Sequence, residues 1–236
     1  MKLFLISNFN KYFSQPVELK PTIILLTSAL FLTIHKYFGS IEFANSNFNF
    51  TYSSAPAIFM FLAAFILLGI VPVFVVKYIF NERIQNYGLI LGDWQFGLRS
   101  FVLLFPIILI FLLLPASQTA EMRNFYPFDK SINSFSFEFL QFQILRGLFY
   151  YSAWEFFFRG FMLFGLRKYV GDWLAICIQT VPQCLWHIGM PSGEIFSSIA
   201  GGILFGIIAL RTNSILWPLL LHFFIGFGMD FFIVIT

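Results

Sequence analysis

The chain has 236 residues and a net charge of only +3, with 59% hydrophobic and 11% charged residues. Soluble domains carry about 25% charged residues, so this composition excludes a domain surrounded by water. The small charge and the lack of any basic run also exclude nucleic acid as an expected partner. The 36 phenylalanines exceed what one soluble core of this length would bury, and lipid-facing surface would accommodate them.

A transmembrane helix needs about 20 mostly apolar residues. About seven segments fit, within a range of six to eight: residues 21–37, 55–80, 101–116, 143–166, 173–186, 196–210 and 215–236. The fifth and sixth are short, which indicates helices that neighbours shield or that frame a cavity. We found no repeat, so the sequence predicts one all-α domain over residues 1–236, a polytopic transmembrane helix bundle.

The connections carry further signals. Residues 81–100 mix charged with apolar and aromatic side chains, which predicts an amphipathic stretch at the membrane surface. Residues 44–54 and 117–136 are polar and predict exposed loops. A cytoplasmic N-terminus would satisfy the positive-inside rule. The cytoplasmic side would then hold most of the basic residues, namely Lys2, Lys11, Lys20, Lys77, Arg83, Arg99, Arg167, Lys168 and Arg211.

Ionisable residues inside the predicted spans are few. Glu155 and Arg159 lie four residues apart on one helix face, His187 ends the fifth span, and His222 and Asp230 lie in the last. An ion pair that only eases insertion, or a hydrogen-bonded interior histidine, is the ordinary explanation for each one alone. Together they offer one carboxylate and two imidazoles from three helices.

Two hydrolytic chemistries need such a set. Glu155, His187 and His222 could bind a divalent metal, zinc being the usual choice. Alternatively, the carboxylate could activate water as a general base, beside histidines that bind the oxyanion, with no metal at all. The spacing does not choose between the two.

Three short motifs around these residues resemble those of the CPBP family, the CAAX-protease and bacteriocin-processing membrane proteins. The family string EExxxRG corresponds to WEFFFRG, which begins at Trp154. Its FxxxH corresponds to QCLWH, which ends at His187. Its HxxxN, after a glycine-rich helix, corresponds to the last five residues of GGILFGIIALRTNSILWPLLLHFFIG, residues 201–226. The core of the resemblance covers about residues 144–230.

The resemblance implies an intramembrane endopeptidase, a hydrolase of metallo- or glutamate type, in a prokaryotic cell membrane. Its partners would be the lipid bilayer and a membrane-associated or lipidated peptide or protein substrate, as in CAAX-box protein processing. The implied catalytic residues are Glu155, Arg159, His187 and His222. Glu155, His187 and His222 would be the ligands if a zinc ion is bound.

Two positions of the first and third motifs depart from the family pattern, in addition to Gln183, which stands where the second motif has phenylalanine. Trp154 stands where the family has the glutamate assigned as the base, and Gly226 stands where it has asparagine. Glu155, about 100° further round the helix, is the only carboxylate left in the first motif. Glu194, after His187, is a possible substitute, although a solvated loop acid is the more ordinary interpretation.

The two departures keep an alternative open. A catalytically inactive membrane protein on the same fold would bind a membrane peptide or partner, with an immunity or scaffold role. A small transporter is a third possibility. Many transporters contain an inverted repeat, and the absence of an evident one in these spans argues against it.

Overall fold

The structure is a computed structural model that describes residues 18–236. Over that range the chain forms nine helices and no strand. The helices are α1 (Leu19–Phe38), α2 (Ile41–Asn47), α3 (Ala55–Ile79), α4 (Trp94–Ser117), α5 (Ala120–Phe125), α6 (137–170), α7 (Asp172–Trp186), α8 (Ser192–Thr212) and α9 (Leu216–Ile235). Lys2 and Lys11, used in the orientation prediction, lie outside the described residues.

Five of these helices are long and apolar enough to cross a membrane: α1, α3, α4, α8 and α9. The predicted fold class, an all-helical polytopic membrane bundle, is therefore confirmed. The fourth and fifth predicted spans coincide with α6 and α7, but α7 has only 15 residues. The side of the membrane on which the chain begins stays a prediction.

Helix α6 is the centre of the bundle. Every residue from 153 to 166 is buried, and the helix packs against α1, α3, α7, α8 and α9. Because protein rather than lipid surrounds it, α6 tolerates charged side chains that a lipid-exposed helix would not. Its middle alternates between α-helical and π-helical turns, with Ser152–Glu155 in α-helical form between two π-helical stretches.

The phenylalanines lie both in the protein core and on the outer surface, where the sequence led us to expect the excess. In α6, Phe157, Phe158 and Phe161 are completely buried and form part of the core. On α4, by contrast, Phe111 is 76% exposed, and only 11% of that helix's most apolar window is buried. The outer helices therefore present aromatic surface to lipid, while α6 uses the same residue type for packing.

Three connections differ from expectation because of local capping. The Asp93 carboxylate accepts a hydrogen bond from the Phe96 backbone N–H at 3.0 Å and starts α4 at Trp94. The second half of the predicted interfacial stretch is thus the first turns of a span. In the same way, Ser40 caps α2, which extends into the predicted loop 44–54, and Thr119 caps α5 within 117–136.

Helices α7 and α8 approach closely along a pair of glycines. A Cβ atom at Gly202 would lie 2.7 Å from the Thr180 side chain, and one at Gly206 would lie 3.1 Å from Ile176. Gly202 and Gly206 are four residues apart, the GxxxG spacing that lets two membrane helices pack closely. This contact fixes the end of α7, where His187 lies, beside the start of α8, where Glu194 lies.

Candidate active site

A cavity of about 460 Å³ lies among α4, α6, α7, α8 and α9. Its lining is mostly apolar. The polar lining residues lie on or beside α6, α7, α8 and α9 and on the loop before α6. His187 and His222 both line it, as do Trp154 and Gly226. A larger depression of about 660 Å³ between the polar loops contains none of the motif residues.

The Glu155 carboxylate binds two partners at once. Its Oε1 lies 2.6 Å from His222 Nδ1, and Arg159 Nη1 donates to the same oxygen at 3.3 Å. Both Glu155 and Arg159 are completely buried, which confirms the predicted pairing on one face of α6. Glu155 does not line the cavity, whereas His222 does. The carboxylate therefore reaches the cavity only through the imidazole.

His222 consequently presents one ring edge to the cavity. A carboxylate oxygen accepts hydrogen bonds, so the ring nitrogen that faces Glu155, Nδ1, carries a proton. The other nitrogen, Nε2, is left for a ligand. This is the arrangement in which a buried carboxylate orients an imidazole and stabilises the positive charge that forms on it.

His187 is fixed differently. Its Nδ1 donates to the Gln183 carbonyl oxygen at 2.7 Å, so Nε2 keeps its lone pair. The Trp154 ring packs edge-on against the imidazole with centroids 5.9 Å apart, and the buried Trp154 Nε1 has no hydrogen-bond partner in the described part of the chain. The residue at the first-glutamate position therefore contacts His187 through an aromatic ring.

Glu194 is the one carboxylate among the residues that line the cavity. It lies in the first turn of α8, not in a solvated loop, which corrects the ordinary interpretation. Tyr126 Oη donates to both carboxylate oxygens at 2.8 Å, and burial raises the pKa of Tyr126 well above its usual range, so this donor keeps its proton. Glu194 Oε1 lies 3.9 Å from His187 Nε2.

Asp230 belongs to a separate buried cluster. Its Oδ2 accepts hydrogen bonds from Gln143 at 2.6 Å and from Arg146 at 2.9 Å. The Arg146 guanidinium lies between aromatic rings, including that of Tyr151 at 5.0 Å. Asp230 thus neutralises Arg146, and its carboxylate is not placed at the position of the side chain missing at Gly226.

The space at Gly226 is filled from α6. A Cβ atom at Gly226 would lie 1.8 Å from Tyr151 Oη. The Tyr151 ring also packs on the His222 ring, with centroids 4.5 Å apart. The sequence analysis did not single out Tyr151, although its position four residues before Glu155 places it on the same helix face.

The predicted zinc ligands do not fit a metal shell as they are placed. Zinc sites bring three or more side-chain donors within about 2.3 Å of one point. No group of three His, Cys, Asp or Glu side chains within residues 18–236 is arranged to hold a metal ion. His222 Nδ1 and Glu155 Oε1 bind each other, and His187 Nδ1 binds a carbonyl. We therefore derive the chemistry below from the side chains alone, and zinc stays a prediction.

Residues 137–228 match the family model described as "Type II CAAX prenyl endopeptidase Rce1-like". This range contains all of the predicted catalytic residues together with Tyr151, Glu194 and Gly226. No curated protein and no solved structure matches the chain. The resemblance drawn from the three motifs is confirmed by this match, which covers residues 137–228 of an integral membrane protein.

Proposed function

We propose that this protein is an intramembrane endopeptidase that hydrolyses a peptide bond in a membrane-associated, lipidated substrate. The supporting observation is that two carboxylate–imidazole pairs, Glu155 with His222 and Glu194 with His187, meet at one apolar cavity inside the bundle. An apolar cavity at membrane depth suits a peptide that carries a lipid chain. The family match over residues 137–228 supports the same reaction class.

Glu194 is the base in this proposal, in place of the glutamate that Trp154 replaces. Glu194 Oε1 and His187 Nε2 are both acceptors, and the 3.9 Å between them is too long for a direct hydrogen bond. A water oxygen about 2.8 Å from each atom would donate one proton to the carboxylate and one to the imidazole. Its lone pair would then be free to attack the substrate carbonyl.

Glu155 acts in this proposal as a positioning residue. It is too deeply buried to contact substrate, so we assign it the orientation of His222 and not the activation of water. This assignment revises the role that the sequence suggested. Arg159 balances the charge of Glu155, and its Nη2 donates to the Gly201 carbonyl at 3.4 Å, which ties α6 to α8.

The proposed reaction balances as follows. The water oxygen adds to the carbonyl carbon while one water proton passes to Glu194, and the carbonyl electron pair moves onto its oxygen. His222, protonated on Nε2 and stabilised by Glu155, donates to that oxyanion. The oxyanion then collapses, the C–N bond breaks, and Glu194 returns its proton to the leaving nitrogen. The products are a carboxylic acid and an amine.

The test is cleavage of quenched fluorescent peptides by detergent-purified protein. The peptides carry a C-terminal CAAX sequence, with and without a prenyl group on the cysteine. We expect the wild type to cut the prenylated peptide and Glu194→Gln to lose about 10²–10⁴-fold in kcat, because the general base is gone. Glu138→Gln, which changes an exposed acid on the first turn of α6, is the matched control and should cut like wild type.

Two results would overturn the proposal. A wild-type activity that survives in Glu194→Gln would exclude the assigned base. A wild type that binds the prenylated peptide and leaves it intact, with the same affinity in Glu194→Gln, would instead establish the non-catalytic binding protein.

A further inference from the structure

We propose that Tyr151 is a catalytic residue whose hydroxyl group donates a hydrogen bond to the oxyanion formed during peptide hydrolysis. The inference rests on the proposed function and adds to it the donor that the chain lacks at position 226. Its basis is geometric, since the hydroxyl occupies the place that a side chain from α9 would otherwise take.

The contact at Gly226 shows how completely Tyr151 takes that place. A Cβ atom built there would lie 1.8 Å from Tyr151 Oη and 2.7 Å from Cζ. Real Cβ atoms do not approach other heavy atoms so closely, so only glycine at position 226 is compatible with this position of Tyr151. Tyr151 can therefore occupy this position only because residue 226 is a glycine.

The position of Tyr151 relative to the other site residues suits an oxyanion donor. The ring packs on His222 with centroids 4.5 Å apart, and Tyr151 lines the cavity together with His222 and Glu194. Residue 151 is one helical turn before Glu155, which holds His222 from behind. Tyr151 and His222 therefore line the same part of the cavity, where a substrate carbonyl could contact both.

The hydroxyl group is also available to a substrate. The Tyr151 hydroxyl group makes no hydrogen bond within residues 18–236, and Tyr151 lines the cavity. A neutral phenol supplies one O–H donor, the group that a forming oxyanion needs. The Arg146 guanidinium, which Asp230 neutralises, lies 5.0 Å from the Tyr151 ring and holds the ring in place by a cation–π contact.

The first experiment compares Tyr151→Phe with wild type. The substitution removes only the hydroxyl group, and loss of one oxyanion donor typically lowers kcat about 10²–10³-fold. We expect that loss with KM nearly unchanged, because the hydrogen bond forms in the transition state. Tyr169→Phe removes a hydroxyl group from the exposed end of the same helix and should leave both constants unchanged.

A binding measurement makes the test independent of turnover. A prenylated peptide that ends in an aldehyde, whose hydrate resembles the tetrahedral intermediate, should bind Tyr151→Phe at least 10-fold more weakly than wild type. The matching uncleaved amide peptide should bind both equally. If the aldehyde binds both proteins equally, the inference is wrong, even where Glu194→Gln confirms the proposed function.

An exchange of the two side chains gives a second, stricter test. Gly226→Asn alone should unfold or inactivate the protein, because its Cβ meets the tyrosine hydroxyl. Gly226→Asn combined with Tyr151→Ala moves the donor to α9. This double variant should fold, and its kcat should be at least 10-fold higher than that of Tyr151→Ala. A double variant that folds yet cuts no better than Tyr151→Ala would assign Tyr151 a packing role only and overturn the inference.

Discussion

Glu155 and His222 are joined by a 2.6 Å contact between Oε1 and Nδ1, and the imidazole separates the carboxylate from the cavity. The negative charge of Glu155 therefore reaches the cavity only through the ring it contacts. The same oxygen also accepts from Arg159, so one buried carboxylate serves both a charge partner and a histidine. The stability of the bundle and the orientation of His222 consequently depend on the same carboxylate.

The charge pair gives the first prediction. Glu155→Gln should lower the free energy of unfolding by about 3–5 kcal/mol, because it leaves Arg159 buried without its counter-charge. Adding Arg159→Met should recover much of that loss, since both charges are then gone and the volume is kept. Thermal unfolding in detergent, followed by intrinsic fluorescence, measures both. A double variant less stable than Glu155→Gln would contradict the prediction.

The second prediction concerns metal. His222 contacts Glu155, His187 Nδ1 donates to a carbonyl oxygen, and Glu194 accepts from Tyr126. Because these groups are already engaged, we expect peptide cleavage to continue after dialysis against a chelator. Metal analysis of the same sample should find much less than one zinc per chain. Activity that a chelator abolishes and zinc restores would show that Glu155, His187 and His222 rearrange around a metal, as the family resemblance allows. His222→Ala would serve as the control for that rearrangement, because it should then also lower zinc content.

The third prediction concerns the contact between α7 and α8. Gly202→Val should destabilise the protein by about 1–3 kcal/mol, because its side chain would meet Thr180, whose hydroxyl group is held by the Ile176 carbonyl. Gly201→Ala is the neighbouring control, since a Cβ atom there meets nothing within 4 Å. Because this contact sets Glu194 beside His187, folded Gly202→Val should also lose activity. Equal melting temperatures for the two variants would contradict the packing argument.

The sequence predicted those parts of the site that depend on spacing within one helix. Glu155 and Arg159 four residues apart had to share a face of α6, and their ion pair is present. The motif order also placed His187 and His222 on separate helices, and both reach one cavity. The 2.6 Å pairing of Glu155 with His222 depends on how α9 packs on α6, which helix periodicity does not specify.

The sequence named Glu194 only as a possible substitute and did not point to Tyr151, the two residues to which we assign new roles. Glu194 follows a loop, and only the packing of α8 on α7 turns its first turn towards the cavity. Tyr151 carried a weak signal, since it shares a helix face with Glu155 and a glycine stood where the motif has a side chain. Nothing in the sequence placed that glycine opposite Tyr151, because the contact joins residues on two helices.

Hydropathy located the spans well but did not show which of them contact lipid and which contact other helices. It gave α1, α3, α8 and α9 to within a few residues, but it started α4 about two turns late because the first two turns after the Asp93 cap contain Gln95, Arg99 and Ser100. It placed the fourth span on α6 without indicating that other helices enclose this helix. Composition gives no direct measure of which helix is enclosed by the others, and that is the helix on which the site is built.

The enclosure of α6 also bears on how the chain enters the membrane during synthesis. Insertion scales assign about 2.5–3.5 kcal/mol to one charged side chain at mid-bilayer, and Arg146, Glu155 and Arg159 all lie on this helix. Their partners come partly from α9, which the ribosome makes later. Glu155 and Arg159 pair within α6, but Arg146 and His222 obtain their partners only when α6 and α9 are both present. We therefore expect α6 to be held less stably in the membrane by a chain truncated before α9 than by the complete bundle.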